Sequence, residues 1–96
     1  MKNYNVQLSK EVCLFLSYID DKSRRICKKN LEKLEGNPYP GRGSGDKEKI
    51  IVKGKERYRL HISRTFTAFY MIDEKQKIVR VVEILPIDQA HKKYKY

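Results

Sequence analysis

Ninety-six residues are the length of a single small domain, residues 1–96, and leave no room for a second. Twenty-two Lys and Arg against 12 Asp and Glu give a formal charge of +10, yet Leu, Ile, Val and Phe supply 25 residues, too many for a disordered basic tail. No apolar run is long enough for a membrane span or a signal-peptide core, which points to a cytoplasmic protein without a membrane partner.

The first element is a half-buried strand over residues 3–8, where Tyr4, Val6 and Leu8 alternate with polar neighbours. Ser9 then supplies an N-cap, and Val12, Phe15, Leu16 and Ile19 recur at helical spacing. Asp20-Asp21 breaks this helix, and Asp21 is the expected cap of the next, whose apolar stripe is Ile26, Leu31 and Leu34. Gly36 and Pro38 end it, so the two helices form an αα-hairpin. The two cysteines, Cys13 and Cys27, fall in different helices without CxxC or histidine spacing; they read as buried apolar residues, neither a zinc site nor a disulfide.

Residues 36–45 hold four glycines and two prolines and read as a flexible connector. A phosphate-cradling loop is excluded because no GxxxxGK[ST] pattern and no following helix are present. From here the apolar period changes from 3.6 to 2. Strands are expected at 49–52, 57–62, 66–72 and 78–85, with a hairpin tip at 73–77, and a short helix is expected at 87–94 after Pro86. The fold class is therefore α+β: an N-terminal strand and a helical hairpin packed on a four- to five-stranded, largely antiparallel sheet, with a short C-terminal helix.

Charge is unevenly placed. Residues 1–41 carry eight basic and five acidic side chains, whereas residues 42–96 carry 14 and seven. The densest stretch runs from Lys53 through Lys55, Arg57 and Arg59 to Arg64. If Tyr58, Leu60 and Ile62 face the helices, strand parity puts Arg57, Arg59 and His61 on the opposite face, about 7 Å apart, a spacing suited to successive phosphates. Tyr94 and Tyr96 are placed to stack on unpaired bases.

No carboxylate cluster suggests a metal nuclease, and no G-x-S-x-G setting suggests a serine hydrolase. Metal-free cleavage of RNA requires only that the protein deprotonate the substrate's own 2′-hydroxyl, stabilise the phosphorane and protonate the leaving 5′-oxygen. Histidine exchanges protons near neutral pH and arginine stabilises charge. The two histidines of the chain, His61 and His91, both fall in the basic region, and either can fill the proton-transfer role.

The element order, the phrase Tyr58-Arg59-Leu60-His61-Ile62 and the ending His91-Lys92-Lys93-Tyr94 resemble the RelE/ParE superfamily of type II toxins, and within it the RelE-type mRNA interferases. The resemblance implies a ribosome-dependent endoribonuclease that needs no cofactor or metal, cuts mRNA in the decoding site and is neutralised by an acidic, RelB-like antitoxin. It assigns the two alternating basic positions to Arg59 and His61 and the C-terminal tyrosine to Tyr94. Where the family's next strand carries an arginine, this chain has Thr67; Arg64 and His91 or Lys92 then stand in for missing basic groups. The expected catalytic set is thus Arg59, His61, Arg64, His91 and Tyr94, with Lys53, Lys55, Arg57, Lys92 and Lys93 holding RNA. The rival readings are a ParE-like gyrase inhibitor and a non-catalytic homologue that binds RNA or antitoxin.

Overall fold

The structure is a computed structural model that describes residues 3–41 and 46–94, the side chain of Tyr94 excepted. The order of elements is β1 (Asn5–Leu8), α1 (Lys10–Tyr18), α2 (Asp21–Gly36), β2 (Lys47–Val52), β3 (Lys55–Ile62), β4 (Phe66–Asp73), β5 (Ile78–Pro86) and α3 (Ile87–Tyr94). It is an α+β fold, with the strands forming one five-stranded sheet in the order β1-β5-β4-β3-β2. β2 to β5 form an antiparallel meander, whereas β1 joins its far end parallel to β5, so the sheet is mixed.

Local chemistry sets each boundary. Ser9 caps α1 by accepting from Val12 N–H at 3.1 Å. Its hydroxyl also donates to Val82 C=O at 2.8 Å, beside the register shift where β5 carries one residue more than β4. The cap of α2 is Asp20 rather than Asp21: its carboxylate accepts from Ser23 N–H, while Asp21 begins the helix and pairs with Arg24. The Arg24 guanidinium donates to Leu16 C=O at 2.7 Å and Ile19 C=O at 2.9 Å, satisfying carbonyls at the end of α1 and fixing the helical hairpin. β2 and β3 are joined by Lys53-Gly54, both with positive φ, the backbone of a two-residue hairpin turn.

The helices cover one face of the sheet. Val12 and Leu16 of α1 and Cys27, Leu31 and Leu34 of α2 pack against Leu60, Ile62, Ala68, Tyr70, Val79, Val81 and Ile84. Burying each large apolar side chain here contributes roughly 1.5–3 kcal/mol. Burial also pushes the Cys27 thiol up to about 11, leaving it a packing group. Cys13, expected inside, is exposed, because it falls on the outer side of α1 with Leu14 and Tyr18.

The connector after α2 is not loose along its whole length. Pro38 is buried, and its carbonyl accepts from the Tyr70 hydroxyl at 2.6 Å. Tyr39 and Tyr4 both donate to the Glu74 carboxylate, at 2.7 and 2.8 Å, and Lys77 pairs with the same group. Those donors hold the Glu74 carboxyl down to about 2. This clamp ties the N-terminal strand and the connector to the β4–β5 tip. Residues 42–45, the remainder of the expected flexible segment, lie outside the described residues. Among the described residues no helix is long and apolar enough to cross a membrane.

Candidate functional site

The second face of the sheet carries the residues singled out by parity, and it is not open. α3 lies across it: Ile87 N–H donates to Thr65 C=O at 3.0 Å, and Ala90 is buried against a small apolar cluster with Ile50 and Phe69, flanked by Val52, Val82 and Leu85. Asp88 opens α3, and His91, Lys92 and Lys93 close it, charges that suit the two ends of the helix dipole.

Strand register organises this face into rows running across the strands. One row joins Glu48 of β2, Arg59 of β3, Phe69 of β4 and Glu83 of β5. Arg59 is only 13 % exposed in its side chain and is paired with Glu48, its Nε donating to Oε2 at 3.1 Å. At the other end of the row Glu83 accepts from Lys93 Nζ of α3 at 2.8 Å. The adjacent row holds His61 opposite Thr67, and Thr67 opposite Leu85. On its β2 side, His61 N–H donates to Asp46 C=O at 2.7 Å.

His61 is half-buried, and its pKa lies below the ordinary value because burial disfavours the imidazolium. The neighbouring Arg59 charge acts in the same direction, as does His91, while Glu48 and Asp46 oppose them. A neutral imidazole at physiological pH is the form that accepts a proton.

The structure brings Arg59, His61 and His91 into one electrostatic neighbourhood, with Arg64 in the β3–β4 turn that anchors the start of α3. It does not bring Lys53 and Lys55 there. Lys53 lies in the hairpin turn and Lys55 opens β3 just after it, six residues from His61, about 20 Å along a strand. Arg57 lies between, in register with Ile50. Lys92 is exposed on α3 and lines a cleft of about 320 Å³ with Glu83, Leu85, Gln89 and Lys93. The Tyr94 side chain and Tyr96 lie outside the described residues. A cleft of about 510 Å³ opens elsewhere, between β1, the end of α2 and the β4–β5 tip. No group of three or more His, Cys, Asp or Glu among the described residues is arranged to hold a metal ion.

The sequence pattern does not single out Glu48, Glu83 or Asp46, and Thr67 stands out in it only as the place of an absent arginine. Glu48 and Glu83 lie far apart in the chain, and only register sets both within this face. The signal for Glu48 was present: with Lys53-Gly54 as a two-residue turn, counting outward sets Val52 against Lys55 and Glu48 against Arg59.

No protein-family profile matches the chain, and no curated protein does either. Solved structures do. The archaeal RelE–RelB complex from Pyrococcus horikoshii OT3 superposes with a TM-score of 0.72 at 24% identity, covering 88% of this chain and 94% of that one. The toxin–antitoxin complex RelBE2 from Mycobacterium tuberculosis gives 0.72 at 12% identity, covering 85% and 95%. A mutant of E. coli toxin RelE in the free state gives 0.60 at 15% identity, covering 99% and 96%. The five-stranded mixed sheet, the N-terminal helical hairpin and the short terminal helix of this chain are thus the fold of the RelE-type toxins.

Proposed function

We propose that this chain is the toxin of a type II toxin–antitoxin pair: a ribosome-dependent endoribonuclease of the cytoplasm that cleaves mRNA and inhibits translation. The observation that carries the reading is the pairing of a guanidinium with a neutral imidazole, Arg59 beside His61, on the α3 face of a RelE-type fold. His61 takes the proton of the 2′-hydroxyl, which attacks the adjacent phosphorus. Arg59 and Arg64 neutralise the phosphorane, and His91 or Lys92 returns a proton to the leaving 5′-oxygen. Tyr94 stacks on a flanking base, and Lys53, Lys55, Arg57, Lys92 and Lys93 track the backbone on either side. The chemistry uses the substrate's own nucleophile and asks for no metal or cofactor.

The partner reading has its own support. Two of the similar structures are toxins in complex with an antitoxin. Here Leu14 and Tyr18 stand 50% and 85% exposed on the outer side of α1, a surface of the kind a partner covers. A net charge of +10 favours an acidic partner, as expected of a RelB-like antitoxin.

His61→Ala and Arg59→Ala are each expected to slow cleavage of ribosome-bound mRNA by roughly 10²–10⁴-fold, read as new 5′ ends mapped at codon positions. Wild-type cleavage by the double variant ends the catalytic reading. Two observations favour a second reading: Arg59 is already paired with Glu48, and Thr67 stands where the resembled family has an arginine. A non-catalytic RNA- or antitoxin-binding homologue predicts salt-sensitive RNA binding by the wild type with no new ends.

A further inference from the structure

Among the described residues, two buried side-chain oxygens find no hydrogen-bond partner: Asp46 Oδ1 and Thr67 Oγ1. Buried polar groups are ordinarily satisfied, and leaving a hydroxyl or carboxylate oxygen without a partner destabilises the fold. The coincidence lies in where they are. Thr67 is the residue directly opposite His61 on β4, and Asp46 is the residue whose carbonyl takes the His61 N–H on the β2 side. The orphaned oxygens therefore belong to the two strand neighbours of one residue.

Thr67 is fully buried, and its neighbour on β5, Leu85, and the next residue on its side of β4, Phe69, are apolar. His61 is its polar cross-strand partner on this face. Directly opposed residues in an antiparallel pair have Cβ atoms about 4.5–5.5 Å apart, a gap that an imidazole and a hydroxyl close by rotation about χ1. The Asp46 charge is already felt at His61.

We infer that Thr67 and Asp46 are positioning residues for His61, held unpaired in the resting fold and engaged when the imidazole turns to work on a bound phosphodiester. This inference rests on the reading of His61 as the proton-transfer group. Thr67 Oγ1 then fixes the ring from the β4 side. Asp46 offers a negative charge to the imidazolium that forms once the proton has moved from the sugar hydroxyl to the ring. No bond of the substrate is made or broken by either residue. A serine or threonine hydroxyl suits the β4 position because it donates or accepts, whichever the ring presents. The unsatisfied oxygens of the resting state are the stability given up for a prepared site.

The test compares Thr67→Val, Thr67→Ser, Asp46→Asn and His61→Ala in full-length protein. Single-turnover cleavage of ribosome-bound mRNA is measured against toxin concentration and pH, with thermal unfolding alongside. Thr67→Val keeps shape and removes the hydroxyl. It is expected to lower the maximal rate by roughly 10-fold or more, leave the half-saturating concentration unchanged, and melt at or above the wild-type temperature. Thr67→Ser restores the rate. Asp46→Asn, at a partly exposed site, moves the acid limb of the rate profile to lower pH, because it removes a negative charge that favours the imidazolium. The charges of Arg59, Glu48 and His91, and the Glu83–Lys93 pair in the next row, stay in place in every variant. A wild-type rate in Thr67→Val and an unmoved profile in Asp46→Asn, with His61→Ala inactive, overturn the inference and leave the catalytic reading standing. Full activity in His61→Ala overturns both. In the neutral protein, imidazole ¹⁵N shifts that are identical with and without the Thr67 hydroxyl in the RNA-bound state also overturn it.

Discussion

The two faces of the sheet are built on opposite principles. Beneath α1 and α2, twelve buried residues pack as one apolar cluster, and its polar atom of note, the Tyr70 hydroxyl, is satisfied by Pro38. Beneath α3 the buried cluster is three residues, surrounded by Glu48–Arg59 and Glu83–Lys93 pairs and by the two unpaired oxygens. One face supplies cohesion; the other holds charge in partly desolvated places, where it interacts strongly and costs stability. The lesson is a division of labour within a sheet only one residue thick.

The sharpest way to break that comparison is to weaken the apolar face. Leu60→Ala is expected to cost about 3 kcal/mol in urea unfolding, within the usual range for a fully buried leucine. A loss below about 1 kcal/mol would mean that the helices contribute little to holding the sheet. Next comes the charged face. Glu48→Gln removes the carboxylate partner of Arg59, so affinity for single-stranded RNA should rise and the log–log salt slope should steepen by about 0.7, one further phosphate contact. An unchanged slope would show that Arg59 is not part of the RNA surface. The smallest effect belongs to the clamp at the sheet's far end. Glu74 is charged in the fold down to about pH 2, below its unfolded range, so its contribution is present above the ordinary carboxylate pKa and lost as pH falls through about 2. Glu74→Gln should therefore lower the melting temperature by a few degrees at pH 7, with the difference fading in strong acid; an equal difference at both pH values would remove the carboxylate from the account.

Element order was legible because each switch of apolar period coincides with a breaker: Asp20, the glycines after Leu34, Lys53-Gly54 and Pro86. The face of β3 was legible too, since Leu60 and Ile62 fix the parity of Arg59 and His61. What local pattern does not carry is which strands meet across the sheet. β1 has an alternation compatible with either edge, and only contact with β5 makes the sheet mixed. Similarly, the pattern predicts α3 as a helix but not where it docks, because its burial rests on one small residue, Ala90, and on neighbours that touch it only in the folded chain. Exposure of Cys13 follows the same rule: the helical period places it, but the position of the sheet decides which side is outside. The candidate site was half visible for this reason. Its cations advertise themselves in composition, while Asp46, Glu48 and Thr67 become meaningful only through register.

The parallel pairing of β1 with β5 has a consequence in time. Asn5 finds its partner at Ile78, and the Ser9 hydroxyl finds Val82 at a separation of 73 residues. β5 is thus the strand that joins the beginning of the chain to the meander, and it is the last strand to be synthesised. At about 5–20 residues per second, several seconds separate the two halves of this contact. During that interval Val6 has no strand to pair with, the apolar stripes of α1 and α2 can meet only the β3 and β4 part of their cluster, and α3, which follows β5 directly, does not yet exist. Neither face is assembled before the other: the row that carries Arg59 and the row that carries His61 both end on β5, at Glu83 and Leu85. The face that carries Arg59 and His61 is therefore completed late, with β5 and the α3 that follows it.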